Sequence, residues 1–389
     1  YSELRTALTK RGRVFLSETD TEIVAHLCDE QVAKGAGPFE ALTAACKQIT
    51  GSYAFLMVDT KHPDRIFFAK QHSPMILGFG AGDDGAKNSK GEASEFWLAS
   101  DIPAILSTTS SVVILEDGDS GEISANGFQI WHGGKAVTRP VTKVSWDPIT
   151  AQKGGFKHFM LKEIYEQPAV IGDTLNSFIN PATGSVSLPD HVTAALQAAP
   201  RLTLIACGTA YYACLTAKYW FETVARVPCE VDIASEFRYR GAPMPKDGVA
   251  IFVSQSGETL DTLEALRYCK KQGQKIISIV NSIESTIERE SDMALHTLAG
   301  PEIGVASTKA FTTQLTTLAC LALALAEKKQ TIGGATRNEI VEALRHLPRQ
   351  VAETLSQDDD IKKIAQQIYK SRDMLYLGRG GMFTLAMEG

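Results

Sequence analysis

The run Ser254-Gln-Ser-Gly-Glu-Thr259 places three hydroxyl side chains within six residues, with Gly257 among them. An apolar stretch, 249–253, precedes it and an amphipathic one, 260–272, follows, so it reads as a turn between a buried strand and a helix. Such a turn brings hydroxyls and free backbone N–H groups to the positive end of a helix, a suitable cradle for a phosphate. Ser and Thr are also ordinary helix N-caps, and capping alone accounts for the same spelling. A second turn, Cys207-Gly-Thr-Ala210, follows the apolar run 202–206, and a third, Glu302-Ile-Gly-Val-Ala-Ser-Thr308, leads into a long Ala/Leu-rich segment. In an open parallel sheet, ligands bind beyond the carboxyl ends of the strands, where these turns fall. A hydroxyl at Thr209 on a neighbouring strand favours an anion cradle over capping by coincidence. There is no Gly-x-x-x-x-Gly-Lys, and no Gly-x-Gly-x-x-Gly follows the first strand, so the expected ligand is a small phosphorylated metabolite and not a nucleotide.

The elements that hold these turns alternate strand and helix. Strands are expected at 202–206, 249–253, 276–280 and 294–297, with helices at 211–224 and 260–272, which implies a doubly wound parallel sheet. The first 135 residues differ. Helical spacing at 2–10, 21–32 and 39–49 gives way to short β runs at 53–58, 65–69, 75–79, 96–99, 112–115, 122–124 and 128–131, the mark of an α+β sandwich. Residues 80–95 read as a long hairpin loop with no assigned role. Residues 136–155, with Pro140, Pro148 and Gly154-Gly155, read as the domain linker. Near the end, a strand expected at 374–377 meets Gly378-Arg-Gly380, as if the strand–turn pattern were beginning a second copy. Tyr1 opens the chain in place of Met and Gly389 closes it inside that pattern, so both ends are expected to be cut.

The bulk properties exclude several classes. The length of 389 residues suggests two or three domains at ~150 residues each. A net charge of −6 and a pI near 5.8 disfavour a nucleic-acid binder that works by bulk charge. Hydrophobic content of 44% and charged content of 22% suit a soluble globular protein. The most apolar segment, 310–326, carries Gln314 and several threonines and reads as a buried helix, not a membrane span. No signal peptide opens the chain. Seven cysteines with no CxxC pair point to reduced thiols in the cytoplasm, without a disulfide framework or zinc site. Cys28 and Cys46 fall on apolar helix faces as structural thiols, and Cys207 has no nearby base to make it a nucleophile. His26 reads as a packing residue, no histidine pair has metal spacing, and Glu302 is either an acid near the ligand or a structural partner.

These turns resemble the sugar isomerase (SIS) domain, and the chain as a whole resembles the glucosamine-6-phosphate synthase family. The matching stretches are Ser17-Glu-Thr-Asp-Thr-Glu22, Leu115-Glu-Asp-Gly-Asp119, Lys162-Glu-Ile-Tyr-Glu-Gln-Pro168, Ala234-Ser-Glu-Phe-Arg-Tyr-Arg240, Ser254-Gln-Ser-Gly-Glu-Thr259 and Glu302-Ile-Gly-Val-Ala-Ser-Thr-Lys-Ala-Phe311, in family order. The resemblance implies part of an α+β N-terminal nucleophile (Ntn) glutaminase sandwich over 1–135. After the linker at 136–155 it implies an α/β doubly wound SIS domain over 156–350 and the truncated start of a second over 351–389. It also implies the family's activity: ammonia from glutamine is channelled to fructose 6-phosphate, giving glucosamine 6-phosphate for amino-sugar biosynthesis, with no cofactor and no metal.

By the same resemblance Asp20 holds the α-amino group of glutamine, as an ammonium needs a fixed carboxylate; capping of the following helix is the plainer alternative. Thr209, Ser254, Gln255, Ser256 and Thr259 match the sugar-phosphate turns. Val305 and Ser307 match residues along the sugar. Ala210 replaces a serine common in the family, leaving its backbone N–H to donate. The family's nucleophilic cysteine, its oxyanion donors, base glutamate, ring-opening histidine and Schiff-base lysine match no position here, so the segment is expected to bind sugar phosphate without catalytic residues of its own. Expected partners are fructose 6-phosphate and glutamine, with a homodimer formed through the isomerase domains, no nucleic acid and no membrane. A non-catalytic sugar-phosphate-binding SIS protein is the alternative, against which Ser17–Asp20 and the β-rich first 135 residues count.

Overall fold

The computed structural model describes residues 1–80, 95–102, 104–106, 108–144 and 153–389. Most of the 80–95 loop and the middle of the 136–155 linker lie outside the described residues. The chain forms two compact units, Tyr1–Pro148 and Ile149–Gly389.

The first unit opens with helices α1 (Ser2–Lys10), α2 (Glu22–Val32) and α3 (Pro38–Cys46). Nine strands follow: β1 (Tyr53–Asp59), β2 (His62–Gln71), β3 (Ile76–Phe79), β4 (Phe96–Ala99), β5 (Ser111–Ile114), β6 (Asp119–Ser124), β7 (Gly127–His132), β8 (Lys135–Val137) and β9 (Val141–Lys143). They pair antiparallel into sheets of order β1-β2-β6-β7-β8 and β4-β3-β5-β9. Side chains on a strand alternate between its faces, and β2 serves two cores in this way. Phe67 and Ala69 meet Leu27 and Leu42 of the helices, whereas Phe68 packs with Leu77, Val113 and Ile130 between the sheets. The expected sandwich is present, but the linker expectation needs correcting. Residues 135–137 and 141–143 are strands, because their backbone groups find ladders on β7 and β5.

In the second unit α4 (Phe159–Phe178) and α5 (Asp190–Ala198) precede β10 (Leu202–Ala206), α6 (Gly208–Thr223), β11 (Cys229–Ile233) and α7 (Ala234–Arg240). Then come β12 (Val249–Ser254), α8 (Leu260–Lys271), β13 (Lys275–Val280), α9 (Thr286–Glu290) and β14 (Met293–His296). The last helices are α10 (Lys309–Lys329), α11 (Gly334–Leu355), α12 (Asp358–Ile368) and α13 (Gly381–Glu388). The sheet is parallel, in the order β11-β10-β12-β13-β14. Helices cover both faces. Leu204, Ile251 and Ile277 face α6 and α10, while Ile205, Phe252 and Ile276 face α7 and α8. Among the described residues α10 has the length and hydropathy of a membrane span, yet 72% of its apolar window is buried in this unit. Leu318, Leu321 and Leu325 are buried there, each worth about 1.5–3 kcal/mol relative to exposure.

Two further expectations are altered. β11 is an extra edge strand that alternates apolar and acidic residues, so it lacks an apolar run. Conversely, 374–377 is not a strand: no ladder partner lies beside it among the described residues, and Met374, Leu375, Tyr376 and Leu377 are exposed.

At the sheet edge His296 Nε2 lies 2.8 Å from Glu288 Oε1. The hydrogen bond and charge of Glu288 outweigh burial and raise the imidazole above its ordinary 6.5. Burial pushes the Glu288 carboxyl upward, but its bonds to His296 and to backbone N–H groups hold it below 4.5. The imidazole's contribution is full below 6.5 and fades as pH rises through its raised value; the carboxylate's is present above 4.5 and fades on acidification. The pair therefore stabilises most between these values. His296→Gln should lower urea stability by under about 1 kcal/mol at pH 5.5, and by less at pH 8.5. An equal loss at both pH values in urea titrations would contradict this assignment.

Candidate functional site

Helices α6, α8 and α10 all begin at one region of the sheet's carboxyl edge. The first N–H groups of a helix have no partner inside it and point outward, carrying partial positive charge. Cys207, Thr259 and Thr308 are the residues before these helices, and none caps its helix with a side-chain hydrogen bond. The hydroxyl of Thr259 is thus not used for capping; it lies 3.3 Å from Ser254 Oγ. Gly257 is needed where it stands: its φ is +65°, and a Cβ there would collide with Ser285. With that turn closed, the Gly257 N–H donates to Ser254 Oγ at 3.0 Å and the Glu258 N–H to Ser256 Oγ at 3.2 Å. The Gln255 carbonyl accepts from the N–H groups of Asn281 and Ser282, which anchors the turn to the end of β13.

These turns enclose a cavity of about 140 Å³. Seven of the expected residues line it: Thr209, Ala210, Ser254, Gln255, Ser256, Thr259 and Ser307. Cys207 lines it too. The hydroxyls, the positive helix ends and the small size suit a tetrahedral anion with a short polar extension. Two differences from expectation appear. Val305 is fully exposed and outside the lining. Thr209 already donates its hydroxyl proton to Glu388 Oε1 of α13, at 2.8 Å. A second bond, Thr216 Oγ1 to Thr384 Oγ1 at 2.6 Å, fastens α13 along α6.

Sequence reasoning passed over two polar lining residues, Thr262 of α8 and Gln314 of α10. Both are buried, and Thr262 Oγ1 and Gln314 Oε1 have no hydrogen-bond partner among the described residues. An isolated carboxamide in an Ala/Leu/Thr helix was the available signal for Gln314.

The wall at 300–308 is held by carboxylates. Glu302 accepts from the Ser307 hydroxyl at 2.9 Å and from the N–H groups of Thr308 and Ala310, so it is a structural partner at the start of α10. Glu163 of α4, itself buried, accepts from the N–H groups of Ile303 at 2.6 Å and Gly304 at 3.0 Å. One turn along α4, Glu166 pairs at 2.7 Å with the buried Lys309 ammonium. Asn281 completes the support by donating to the Gly300 carbonyl and accepting from the Ala299 N–H. The stretch 162–168 therefore acts by bracing this wall.

In the first unit Asp20 is exposed at a cavity of about 700 Å³ that also touches Tyr1, Gln48 and Tyr53. Its carboxylate accepts from Thr21 Oγ1 at 3.3 Å and makes no capping bond to α2. All seven cysteines are free thiols. Burial pushes Cys28 up to about 11 and raises Cys46, holds Cys214 well above its ordinary value, and takes Cys229, Cys269 and Cys320 to about 12. Such thiols stay protonated at neutral pH. Among the described residues no group of three or more His, Cys, Asp or Glu could hold a metal ion.

Comparison with known proteins agrees with this two-part layout. Residues 1–107 match a glutamine amidotransferase domain model, and residues 195–324 match a SIS domain model. The chain is 45% identical over 390 residues to glutamine–fructose-6-phosphate aminotransferase (isomerizing) of Brucella abortus. It is 41% identical over 392 residues to the protein of that name from Aquifex aeolicus. Both matches take in all of this chain but only 62% and 61% of the relatives, so the chain spans about three fifths of their length. Among solved structures, the C-terminal domain of glucosamine-fructose-6-phosphate aminotransferase from Francisella tularensis superposes with a TM-score of 0.59 at 41% identity. That match covers 61% of this chain and 67% of the other.

The bracing by Glu163 is open to a direct check. Glu163→Gln keeps the volume but removes the charge and one acceptor, which should cost about 1–2 kcal/mol locally. Hydrogen exchange at the Ile303 and Gly304 amides should quicken about tenfold, with the β12 and β13 amides unchanged. Unaltered exchange at 303 and 304 would remove Glu163 from this role.

Proposed function

The chain belongs to the glutamine–fructose-6-phosphate aminotransferase family, and on that premise we propose that its second unit binds fructose 6-phosphate in the cavity at the sheet's carboxyl edge. The phosphate rests on the 254–259 turn, where the hydroxyls of Ser254, Ser256 and Thr259 and the free N–H groups at the start of α8 are donors. Gln255 shapes that turn. Thr209 and Ala210 contribute backbone N–H groups from the start of α6, and Ser307 follows the sugar. Each helix end adds about 0.3–1 kcal/mol toward a bound anion. The observation that carries this reading is the Thr259 hydroxyl, which does not cap α8 and lines, with the other turn residues, a cavity between three helix starts.

The first unit belongs to the glutamine-using half, where Asp20 binds the α-amino group of glutamine. Its carboxylate is free of capping duty, as an ammonium partner requires. The overall reaction makes glucosamine 6-phosphate from fructose 6-phosphate and glutamine without a cofactor. Within these 389 residues the reading assigns ligand-holding roles and no catalytic group. It includes a homodimer formed through the isomerase domains, a cytoplasmic location and no membrane association; the burial of α10 supports reading that helix as core and not as a membrane span. The amidotransferase match over 1–107 counts against a simple sugar-phosphate sensor.

Isothermal titration of the chain with fructose 6-phosphate tests the cradle. Ser256→Ala and Thr259→Ala should each weaken binding about three- to tenfold, the loss of one hydrogen bond to a charged group. Unchanged affinity in both variants would reduce those hydroxyls to turn-forming residues. Asp20→Ala should abolish measurable glutamine binding, and retained affinity would remove Asp20 from that role.

A further inference from the structure

The cavity contains a polar group that a phosphate does not satisfy. Gln314 is 2% exposed on α10, lines the cavity, and its carboxamide oxygen has no hydrogen-bond partner among the described residues. Leaving a buried amide oxygen unpaired is costly, and native proteins rarely tolerate it without a function. The Thr262 hydroxyl, 1% exposed and lining the same cavity, is also unpaired. Of the neighbouring threonines on α10, Thr312, Thr313 and Thr316 bond back to carbonyls one turn earlier, whereas the Thr317 hydroxyl, outside the cavity lining, is also unpaired.

The chemistry of these groups separates the two ends of a ligand. A phosphate dianion only accepts hydrogen bonds, so it pairs with helix N–H groups and serine hydroxyls. A carboxamide oxygen is itself an acceptor and needs a donor. A sugar hydroxyl donates and accepts at once, matching the carboxamide's C=O and NH₂ together. We propose that Gln314 is the specificity-determining residue of this site, reading a hydroxyl on the carbon chain of the bound sugar phosphate, with Thr262 as its neighbour. This rests on the sugar-phosphate reading above and adds to it: the site selects a hydroxyl-bearing chain, where the cradle alone selects only the phosphate. A site built to bond a hydroxyl discriminates strongly, because its buried polar groups stay unpaired when the hydroxyl is missing.

The 389-residue chain and its Gln314→Met variant, which keeps the volume and removes the amide, are titrated with fructose 6-phosphate and separately with inorganic phosphate. Gln314→Leu is the second variant, and thermal melts establish that both fold. Fructose 6-phosphate affinity should fall about tenfold, with phosphate affinity within twofold of the parent chain. Equal affinity for the sugar phosphate in parent and variants, as when only water meets Gln314, overturns the proposal, and so does a parallel fall for both ligands. Binding of neither ligand by the parent chain overturns the sugar-phosphate reading itself and takes this proposal with it. In the unmutated chain labelled with ¹⁵N-glutamine, the Gln314 side-chain amide signal should shift with fructose 6-phosphate and stay in place with phosphate. A signal unmoved by the sugar phosphate overturns the proposal independently of any variant.

Discussion

A helix leaves the N–H groups of its first turn unpaired, and the second unit depends on how that deficit is met. Its parallel sheet starts α6 and α8 directly after β10 and β12, and the 300–308 wall brings α10 to the same place. Glu302 answers the deficit at α10 by accepting two of its N–H groups. At α6 and α8 no residue caps with its side chain, so donors remain facing the cavity. Sheet order, turn glycine and braced wall all serve to hold these starts together.

The surrounding packing makes the arrangement rigid. Buried β10, β12 and β13 fix the turns at their ends, and α10 runs through the main core with its first turns at the cavity. Glu163 and the Glu166–Lys309 pair place charges at this boundary, where backbone N–H groups or an ammonium compensate each carboxylate. Breaking such a set leaves a buried charge alone, a larger loss than the bond itself. Positions with no evident ligand contact therefore decide the shape of the wall.

Much of this was legible in the sequence, because continuous apolar runs such as 202–206 and 249–253 admit few structures and hydroxyl-rich turns follow them. Strand alternation likewise exposed the sandwich of the first unit. What escaped was set by tertiary partners. β11 joins the sheet edge with Glu230 and Asp232 in its span, so no apolar run marked it. Residues 374–377 are apolar, yet a strand forms only beside another. β8 and β9 occupy ground where Pro140 suggested a linker. Glu388 lies 179 positions from Thr209, and no local pattern relates them. Gln314 was visible only as the polar residue that made a membrane span implausible.

The bond from Thr209 to Glu388 joins the start of α6 to α13. A hydroxyl has a single proton to give, so an anion that takes it does so in competition with the Glu388 carboxylate. Were an anion to take that proton, its binding and the docking of α13 would be reciprocal: whatever drew Glu388 away would favour the anion, and by the same factor the anion would favour release of the helix. In that case α13 would act as an internal competitor for the hydroxyl, held near it at an effective concentration set by the intervening backbone.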